Sequence, residues 1–345
     1  MKSKRENLKK AVLWEKAEEN QVQCKLCNWR CLIADGKTGR CFVRQNIDGE
    51  LYSLNYHKIC AANSDPIEKK PLFHFQPGSK SFSIACEGCN FRCEFCQNWH
   101  ISQSAADSGR IDGKAISPEK IVEAAVRDGC KGIAYTYTEP TIFMELCADC
   151  GTLARQRGLT NVFVSNGYMT TEAIDFASEW LNGINVDLKA FNEDYYEQLC
   201  KARLEPVLDT IKYIAKQTDI WLEVTTLVVP GENDSEEELK KIAGFIATEA
   251  GEDVPWHISR FVPQYKYMDS YPTPMETLEK AYEIGKNSGL RYVYLGNVPG
   301  AKTESTFCYN CGRMLIERVG YRIVSNAIED SCCPDCGVKI AGYEL

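Results

Sequence analysis

Four cysteines, Cys86, Cys89, Cys93 and Cys96, stand within the stretch ACEGCNFRCEFCQNW (residues 85–99). Their spacing, C-x2-C-x3-C-x2-C, leaves two chemistries open. Four thiolates on one metal fill its coordination shell and make a structural centre, whereas three leave one corner of an iron–sulfur cluster free for a reactant. A zinc ribbon needs two C-x2-C knuckles with a hairpin's length of chain between them, and the residues between Cys89 and Cys93 do not supply it. A ferredoxin run reads C-x2-C-x2-C; here a three-residue gap comes first. Cys86 ends an apolar run, where strand alternation decides which way its thiol points. Three ligands in a loop and one on a strand suit a cluster with three protein thiolates.

Two further groups hold most of the other cysteines. Residues 308–337 read CYNC, then 21 residues, then CPDCG. That is a zinc-ribbon pattern, expected to place one zinc on Cys308, Cys311, Cys333 and Cys336 with a full shell and a structural role. Cys332 is a possible substitute for Cys333, but the CPxCG knuckle favours Cys333. Near the start, QCKLCNWRCLIADGKTGRCFVR (23–44) gives C-x2-C-x3-C-x9-C through Cys24, Cys27, Cys31 and Cys41. This set suits zinc or a second iron–sulfur cluster; simplicity favours zinc, and a cluster would serve to relay electrons. Cys60, Cys130, Cys147, Cys150, Cys200 and Cys332 are scattered. Cys147 and Cys150 have no second pair and read as small apolar core residues.

The chain has 345 residues, 44% hydrophobic and 26% charged, with a formal net charge of -8. An acidic surface argues against nucleic acid, where binding draws on clustered Lys and Arg. No apolar run approaches the roughly 20 residues of a membrane span. The opening MKSKRENLKKAVLWEKAEEN reads as a short amphipathic helix and lacks the apolar middle of an export signal. A cytoplasmic location is therefore expected, where 18 cysteines serve metals better than disulfides.

The elements that must position these groups alternate between residues 82 and 296. Strand-like runs are FSIAC (82–86), KGIAYTY (131–137), NVFVS (161–165), GINVDLK (183–189), IWLEVTTLVV (220–229), WHISRF (256–261) and YVYLG (292–296). Helical stretches lie between them, among them 117–129 with its Ser-Pro-Glu start, 141–158, and 234–251 with an acidic cap and Gly251 at its end. Such alternation predicts an α/β fold whose parallel sheet is covered by helices, a partial (β/α)6-type TIM barrel. A flat dinucleotide-binding sheet would want a glycine-rich first turn, and there is none. The expected organisation is an N-terminal four-cysteine metal-binding region over 1–78, the barrel over 79–300 and a C-terminal zinc ribbon over 301–345. Barrel active sites gather at the carboxyl ends of the strands. There the sequence offers the cysteine cluster, TYTEP (136–140), SNG (165–167), DLK (187–189), VPGEND (229–234), His257 and Arg260.

GCNFRCEFCQNW, with aromatic Phe95 before the last cysteine, resembles the signature of the radical S-adenosylmethionine (radical SAM) enzymes. The resemblance implies a 4Fe–4S cluster on Cys89, Cys93 and Cys96, whose fourth iron binds the amino and carboxylate groups of SAM. Cys86 is then a bystander. It implies an oxidoreductase that reductively cleaves SAM to methionine and a 5′-deoxyadenosyl radical, fed by a one-electron donor of flavodoxin or ferredoxin type. In TYTEP, Thr138 and Glu139 resemble the segment that grips the methionine amino group, though the commoner form is Gly-Gly-Glu. Ser165 and Asn166 are placed to reach the ribose hydroxyls of that cofactor. Asp187, Lys189 and His257 match positions lining the SAM site in the pyruvate formate-lyase activase branch; their ordinary alternative is an internal salt bridge and a core imidazole.

The likeness extends along the chain through CxLCxxRCxIxxGxxGxCxVR, DPIEKKPLFHFQPGSKSFSIA, CQNWHIS, NVDLKAFNEDYY, PWHISRF and the ribbon. These motifs resemble the radical SAM component of the AmmeMemoRadiSam system, which is similar to pyruvate formate-lyase activating enzymes. This implies Memo-like and AMMECR-like partner proteins and leaves the substrate open. The alternative is a glycyl radical enzyme activase. A third reading is a non-catalytic iron–sulfur or zinc protein that binds partners or carries electrons; it leaves the convergence of polar groups at the strand ends unexplained. The Tyr- and Pro-rich segment 261–274 suits either a substrate cover or an ordered surface loop.

Overall fold

The computed structural model describes residues 8–298 and 302–345. The chain forms two compact units, one from residues up to Ser64 with Ser81–Asn182, the other from Asp65–Lys80 with Gly183–Leu345.

In the first unit the sheet runs in the order Lys114–Ala115, Lys58–Pro66, Lys80–Cys86, Gly132–Tyr135, Thr160–Ser165. The last three are mutually parallel in register Ala134↔Ser83 and Ala134↔Val162. After its first residue the Lys80–Cys86 strand is buried throughout, as an apolar strand with both faces covered must be. The Pro118–Arg127 helix turns Ile121, Val122 and Ala125 inward and begins with Pro118 in its first turn, although Ser117 makes no side-chain cap bond. A 3-10 turn, Pro140–Phe143, leads into the Met144–Gln156 helix. There the backbone at Gly151 lies so close to the Trp180 indole that a Cβ would stand 2.6 Å from it.

The N-terminal segment is β structure, which corrects the amphipathic helix expected over its first 20 residues. Trp14–Lys16 pairs antiparallel with Val22–Cys24, and that strand with Leu32–Ile33. The hairpin turns through Glu19 (φ 53) and Asn20 (φ 61), left-handed conformations that end any helix. Lys9–Lys10 pairs with Glu50–Ser53, which also pairs with Arg44–Ile47. Residues 1–7 of the expected helix lie outside the described residues. Arg44 anchors this layer to the Met144–Gln156 helix through a buried ion pair with Glu145 at 3.1 Å.

The second unit holds four parallel strands in sequence order, Gly183–Asp187, Trp221–Val228, Trp256–Arg260 and Val293–Gly296. Helices Glu205–Gln217, Glu236–Phe245 and Met275–Asn287 connect them. The cap of the second helix is the Ser235 hydroxyl, which accepts from Glu238 N–H, and not the expected acidic residue; Asp234 instead accepts from Gly231 N–H in the preceding turn. At the C-terminus, strands Thr306–Phe307, Met314–Val319 and Arg322–Asn326 form an antiparallel ribbon. Leu315, Ile316, Cys308 and Cys333 of the ribbon share a buried cluster with Phe73, Tyr292 and Tyr294. No described helix is long and apolar enough to cross a membrane.

Candidate functional site

The Lys80–Cys86 strand delivers the chain into the cysteine loop. Gly88 takes φ 108, and a Cβ there would stand 2.8 Å from Val43 Cγ1, so this turn admits only glycine. Cys89 Sγ accepts from Phe91 N–H at 3.3 Å, Cys96 N–H donates to Cys93 O at 3.3 Å, and Cys96 Sγ lies 3.2 Å from Ser102 Oγ. Cys93 and Phe95 are buried. Burial, then the neighbouring Glu139 carboxylate and Cys93 thiol, push the Cys89 thiol well above its ordinary range.

Cys86 belongs to other company. It is fully buried, and after burial itself the groups that raise its thiol pKa are Cys60, Cys150 and Glu87, with no loop cysteine among them. Cys147 is also buried and has Cys150 and Cys86 among its electrostatic neighbours. These thiols pack as small apolar residues beneath the loop's start.

Glu139 ties two neighbouring strand ends together. One oxygen accepts from Thr141 N–H (3.0 Å), Thr141 Oγ1 (2.5 Å) and Ser165 Oγ (2.8 Å), and the other from Asn166 N–H (2.8 Å). Burial pushes its pKa up, and these hydrogen bonds oppose the rise. Asn166 carries the connection onward, with Nδ2 donating to Asn90 Oδ1 at 2.7 Å and lying 3.9 Å from Cys89 Sγ. Thr138 Oγ1 donates to Cys86 O at 2.7 Å, and Asn98 Nδ2 to Tyr137 O at 2.8 Å. The first unit thus gathers Cys89, Glu139, Ser165 and Asn166 in one bonded network, with Thr138 pinned beside it. Asn90 and Asn98 carried little signal in the sequence, each being a polar residue within two positions of a loop cysteine.

In the second unit, Lys189 Nζ donates to Asp187 Oδ2 at 2.9 Å. His257 is buried with Nε2 2.6 Å from Glu223 Oε2. The ordinary alternative for these residues, an ion pair and a core imidazole, is thus physically present. Glu223 went unnoticed in the sequence although it interrupts the apolar run IWLEVTTLVV. It is fully buried and also accepts from Phe73 N–H, His74 N–H and Trp221 Nε1–H. Burial alone would raise its pKa, but His257 and the other donors carry it below the usual carboxylate range.

The ribbon cysteines converge: the four Sγ atoms of Cys308, Cys311, Cys333 and Cys336 all lie within 4.8 Å of one another, with Cys308–Cys336 and Cys311–Cys333 at 3.6 Å. Four thiols at that spacing can hold one metal ion, and Cys332 is not among them.

The model of the radical SAM superfamily matches residues 83–243, which contain the whole cysteine loop and the Glu139–Asn166 network. The chain belongs to the radical SAM superfamily. It is 46% identical over 335 residues to the uncharacterized protein MJ0808 of Methanocaldococcus jannaschii, covering 96% of this chain and 99% of that one. It is 26% identical over 220 residues to the pyruvate formate-lyase-activating enzyme of Listeria monocytogenes, covering 61% of this chain and 81% of the relative. Among solved structures it resembles a radical SAM methyltransferase from Sphaerobacter thermophilus, with TM-score 0.51 and 14% identity over 67% of this chain and 71% of that one, a likeness of fold. This radical SAM protein is therefore an enzyme of radical chemistry, and its family implies a 4Fe–4S cluster and SAM.

Proposed function

We propose that Cys89, Cys93 and Cys96 hold a three-thiolate 4Fe–4S cluster that binds SAM at its open corner, and that the enzyme abstracts hydrogen from a substrate shared with Memo-like and AMMECR-like partners. The observation that carries this reading is the place of Cys86: it is the last residue of the Lys80–Cys86 strand and fully buried there, its carbonyl accepting from Thr138 Oγ1 at 2.7 Å, whereas Cys89, Cys93 and Cys96 lie in the loop that follows. The donor set fits an anionic cluster. Phe91 N–H points at Cys89 Sγ, and the buried Asn90 Nδ2 has no hydrogen-bond partner of its own. Such donors stabilise thiolate and sulfide charge and tune a cluster's potential.

When bound, the cluster and SAM supply one-electron cleavage of a sulfonium and a carbon radical that takes hydrogen. The chain's own residues position and enclose. Glu139 fixes the ends of two parallel strands, and through Asn166 and Asn90 it fixes the cysteine loop. Phe95 excludes water from the loop. In this reading Thr138 and Glu139 face the methionine amino group and Ser165 and Asn166 the ribose, while Asp187, Lys189 and His257 line the SAM site, the Lys and His near the methionine carboxylate. The four-cysteine ribbon takes one zinc, whose Zn–S bonds of about 2.3 Å set sulfurs about 3.8 Å apart, close to the 3.6 Å pairs here. The domain limits 1–78, 79–300 and 301–345 and the partial barrel belong to the same proposal.

The partner assignment rests on the likeness of motifs along the whole chain. Its test is deuterium transfer: each candidate partner, uniformly deuterated, is incubated with enzyme, SAM and reductant, and 5′-deoxyadenosine is weighed by mass spectrometry. Label arriving from a Memo-like or AMMECR-like protein, or from a small molecule present only with both, supports the reading. The named similarity to a pyruvate formate-lyase-activating enzyme favours a second reading, glycyl radical activation. A stable glycyl radical signal in a partner enzyme, with no transfer from the Memo-like pair, would replace the first reading with the second.

A further inference from the structure

The four N-terminal cysteines surround a small void in the first unit, which Trp29, Arg40 and Arg44 also line. Their spread differs from that in the ribbon. Tetrahedral zinc holds its thiolate sulfurs about 3.8 Å apart, and the ribbon's four sulfurs all fall within 4.8 Å of one another. Among the described residues, no three of Cys24, Cys27, Cys31 and Cys41 meet that limit, although all four face the same void. Thiols that face one void without converging within that limit suit a polynuclear iron–sulfur core, whose cysteines bind different irons, better than a single ion.

The void is also equipped for an anion. Arg44 is almost fully buried, and its Nε has no hydrogen-bond partner. Arg40 N–H approaches Cys31 Sγ at 3.5 Å. Arg40 N–H thus already has a thiolate acceptor, and inorganic sulfides would give Arg44 Nε one that a lone zinc does not offer.

This segment is joined to the radical SAM loop by direct bonds. Trp29 Nε1 donates to Asn90 O at 2.9 Å, and Arg92 Nη2 donates to Arg40 O at 2.9 Å. Gly88 packs against the same segment: a Cβ there would stand 2.8 Å from Val43 Cγ1 and 3.4 Å from Cys41 O. Each cysteine loop therefore donates a hydrogen bond to the backbone of the other.

We propose that Cys24, Cys27, Cys31 and Cys41 hold a second iron–sulfur cluster that passes the electron consumed at the Cys89–Cys93–Cys96 centre. A one-electron protein donor of flavodoxin or ferredoxin type reduces the second cluster by one electron. That cluster returns to its oxidised state when the electron moves on, and no bond is made or broken there. The metal assignment stands by itself; the relay rests on the proposed function for its acceptor.

The test begins with the full-length chain purified anaerobically, in which iron, acid-labile sulfide and zinc are counted and the iron is examined by Mössbauer spectroscopy. The expected content for two 4Fe–4S clusters and one ribbon zinc is about eight irons and one zinc per chain. About four irons with one or two zincs would overturn the second cluster, and this count requires no variant to fold. In the C27S/C41S double variant iron should fall by half with zinc unchanged, the retained zinc reporting a folded ribbon; C31S is the milder companion, since Cys31 is the most exposed of the four. Unchanged iron in both variants would also overturn the site. SAM cleavage by the variants should persist with dithionite and fall about tenfold or more with a reduced flavodoxin-type donor if the second cluster is the entry point. Equal rates with the two reductants, relative to wild type, would overturn the relay. Eight irons without SAM cleavage in the wild type would keep the second cluster but refute the first centre's chemistry, and the relay with it.

Discussion

Replacing Glu139 with Gln removes one hydrogen bond of four at a defined place. The oxygen that takes three donors, from Thr141 N–H, Thr141 Oγ1 and Ser165 Oγ, can remain an oxygen in the amide. The amide NH2 then meets Asn166 N–H, donor against donor, where a carboxylate oxygen accepted at 2.8 Å. A buried donor stripped of a charged acceptor costs about 2 kcal/mol, equivalent to about a 30-fold change in a local opening equilibrium. Amide hydrogen exchange with peptide or site resolution reads this directly. The Asn166 amide of E139Q should exchange about 30-fold faster than in wild type, while the Thr141 amide, which keeps its acceptor, stays within about threefold. Asn166 also holds Asn90 in the cysteine loop, so iron retention should weaken alongside. Equal acceleration at Asn166 and Thr141 would mean general loosening. No change at Asn166 would mean that the carboxylate does not join the strand ends, and either result would refute the reasoning.

Other perturbations reach the supporting structure. R44M should destabilise the protein by about 3–5 kcal/mol in urea unfolding because it strands the buried Glu145 carboxylate, and adding E145L should restore most of the loss; a single variant within error of wild type would contradict the buried pair. His74 is neutral in the folded protein, Nδ1–H donating to Ala341 O (2.7 Å) and Nε2 accepting from Tyr294 OH (2.6 Å), and burial pushes its pKa down from 6.5 to about 4. Between those values the unfolded chain binds the proton and the folded one does not. Its contribution is therefore full above pH 6.5 and falls by about 3 kcal/mol as pH drops toward 4, a slope that H74Q should flatten in chemical denaturation at each pH. C308S should lose one equivalent of zinc and expose residues 306–326 to proteolysis while the iron content holds; retention of zinc would place that metal elsewhere.

Much of the parallel-strand pattern was legible because buried parallel strands are written as continuous apolar runs. FSIAC, NVFVS and GINVDLK each overlap an observed strand to within two residues at either end. The N-terminal segment was not, because LKKAVLW fits helical and strand periods equally and its pairing partners, Val22–Cys24 and Glu50–Ser53, lie beyond the window that periodicity reads. The assignment of Asp65–Lys80 to the later unit was equally hidden. Its reason is tertiary: Glu223 in a strand 150 residues on accepts from the Phe73 amide. In the site, cysteine spacing named the loop, but the donors to Glu139 and the Asn166–Asn90 bond depend on which strand ends are neighbours. Spacing along the chain carries no such information. Spacing told the ribbon's paired knuckles from the C-x3-C-x2-C loop but left the metal of the N-terminal four open; that only the ribbon's sulfurs converge within 4.8 Å, among the described residues, needed the structure.

The central claim is that three cysteines, and not four, hold the reactive cluster. The most direct measurement uses anaerobically reconstituted protein, reduced with dithionite and given SAM, with 5′-deoxyadenosine and methionine quantified for wild type, C86A and C89A. The account predicts cleavage by wild type and C86A, with a cluster retained in C86A, and none by C89A. A wild type that binds iron without cleaving SAM, together with loss of the cluster in C86A, would contradict it and make the loop a closed four-thiolate centre.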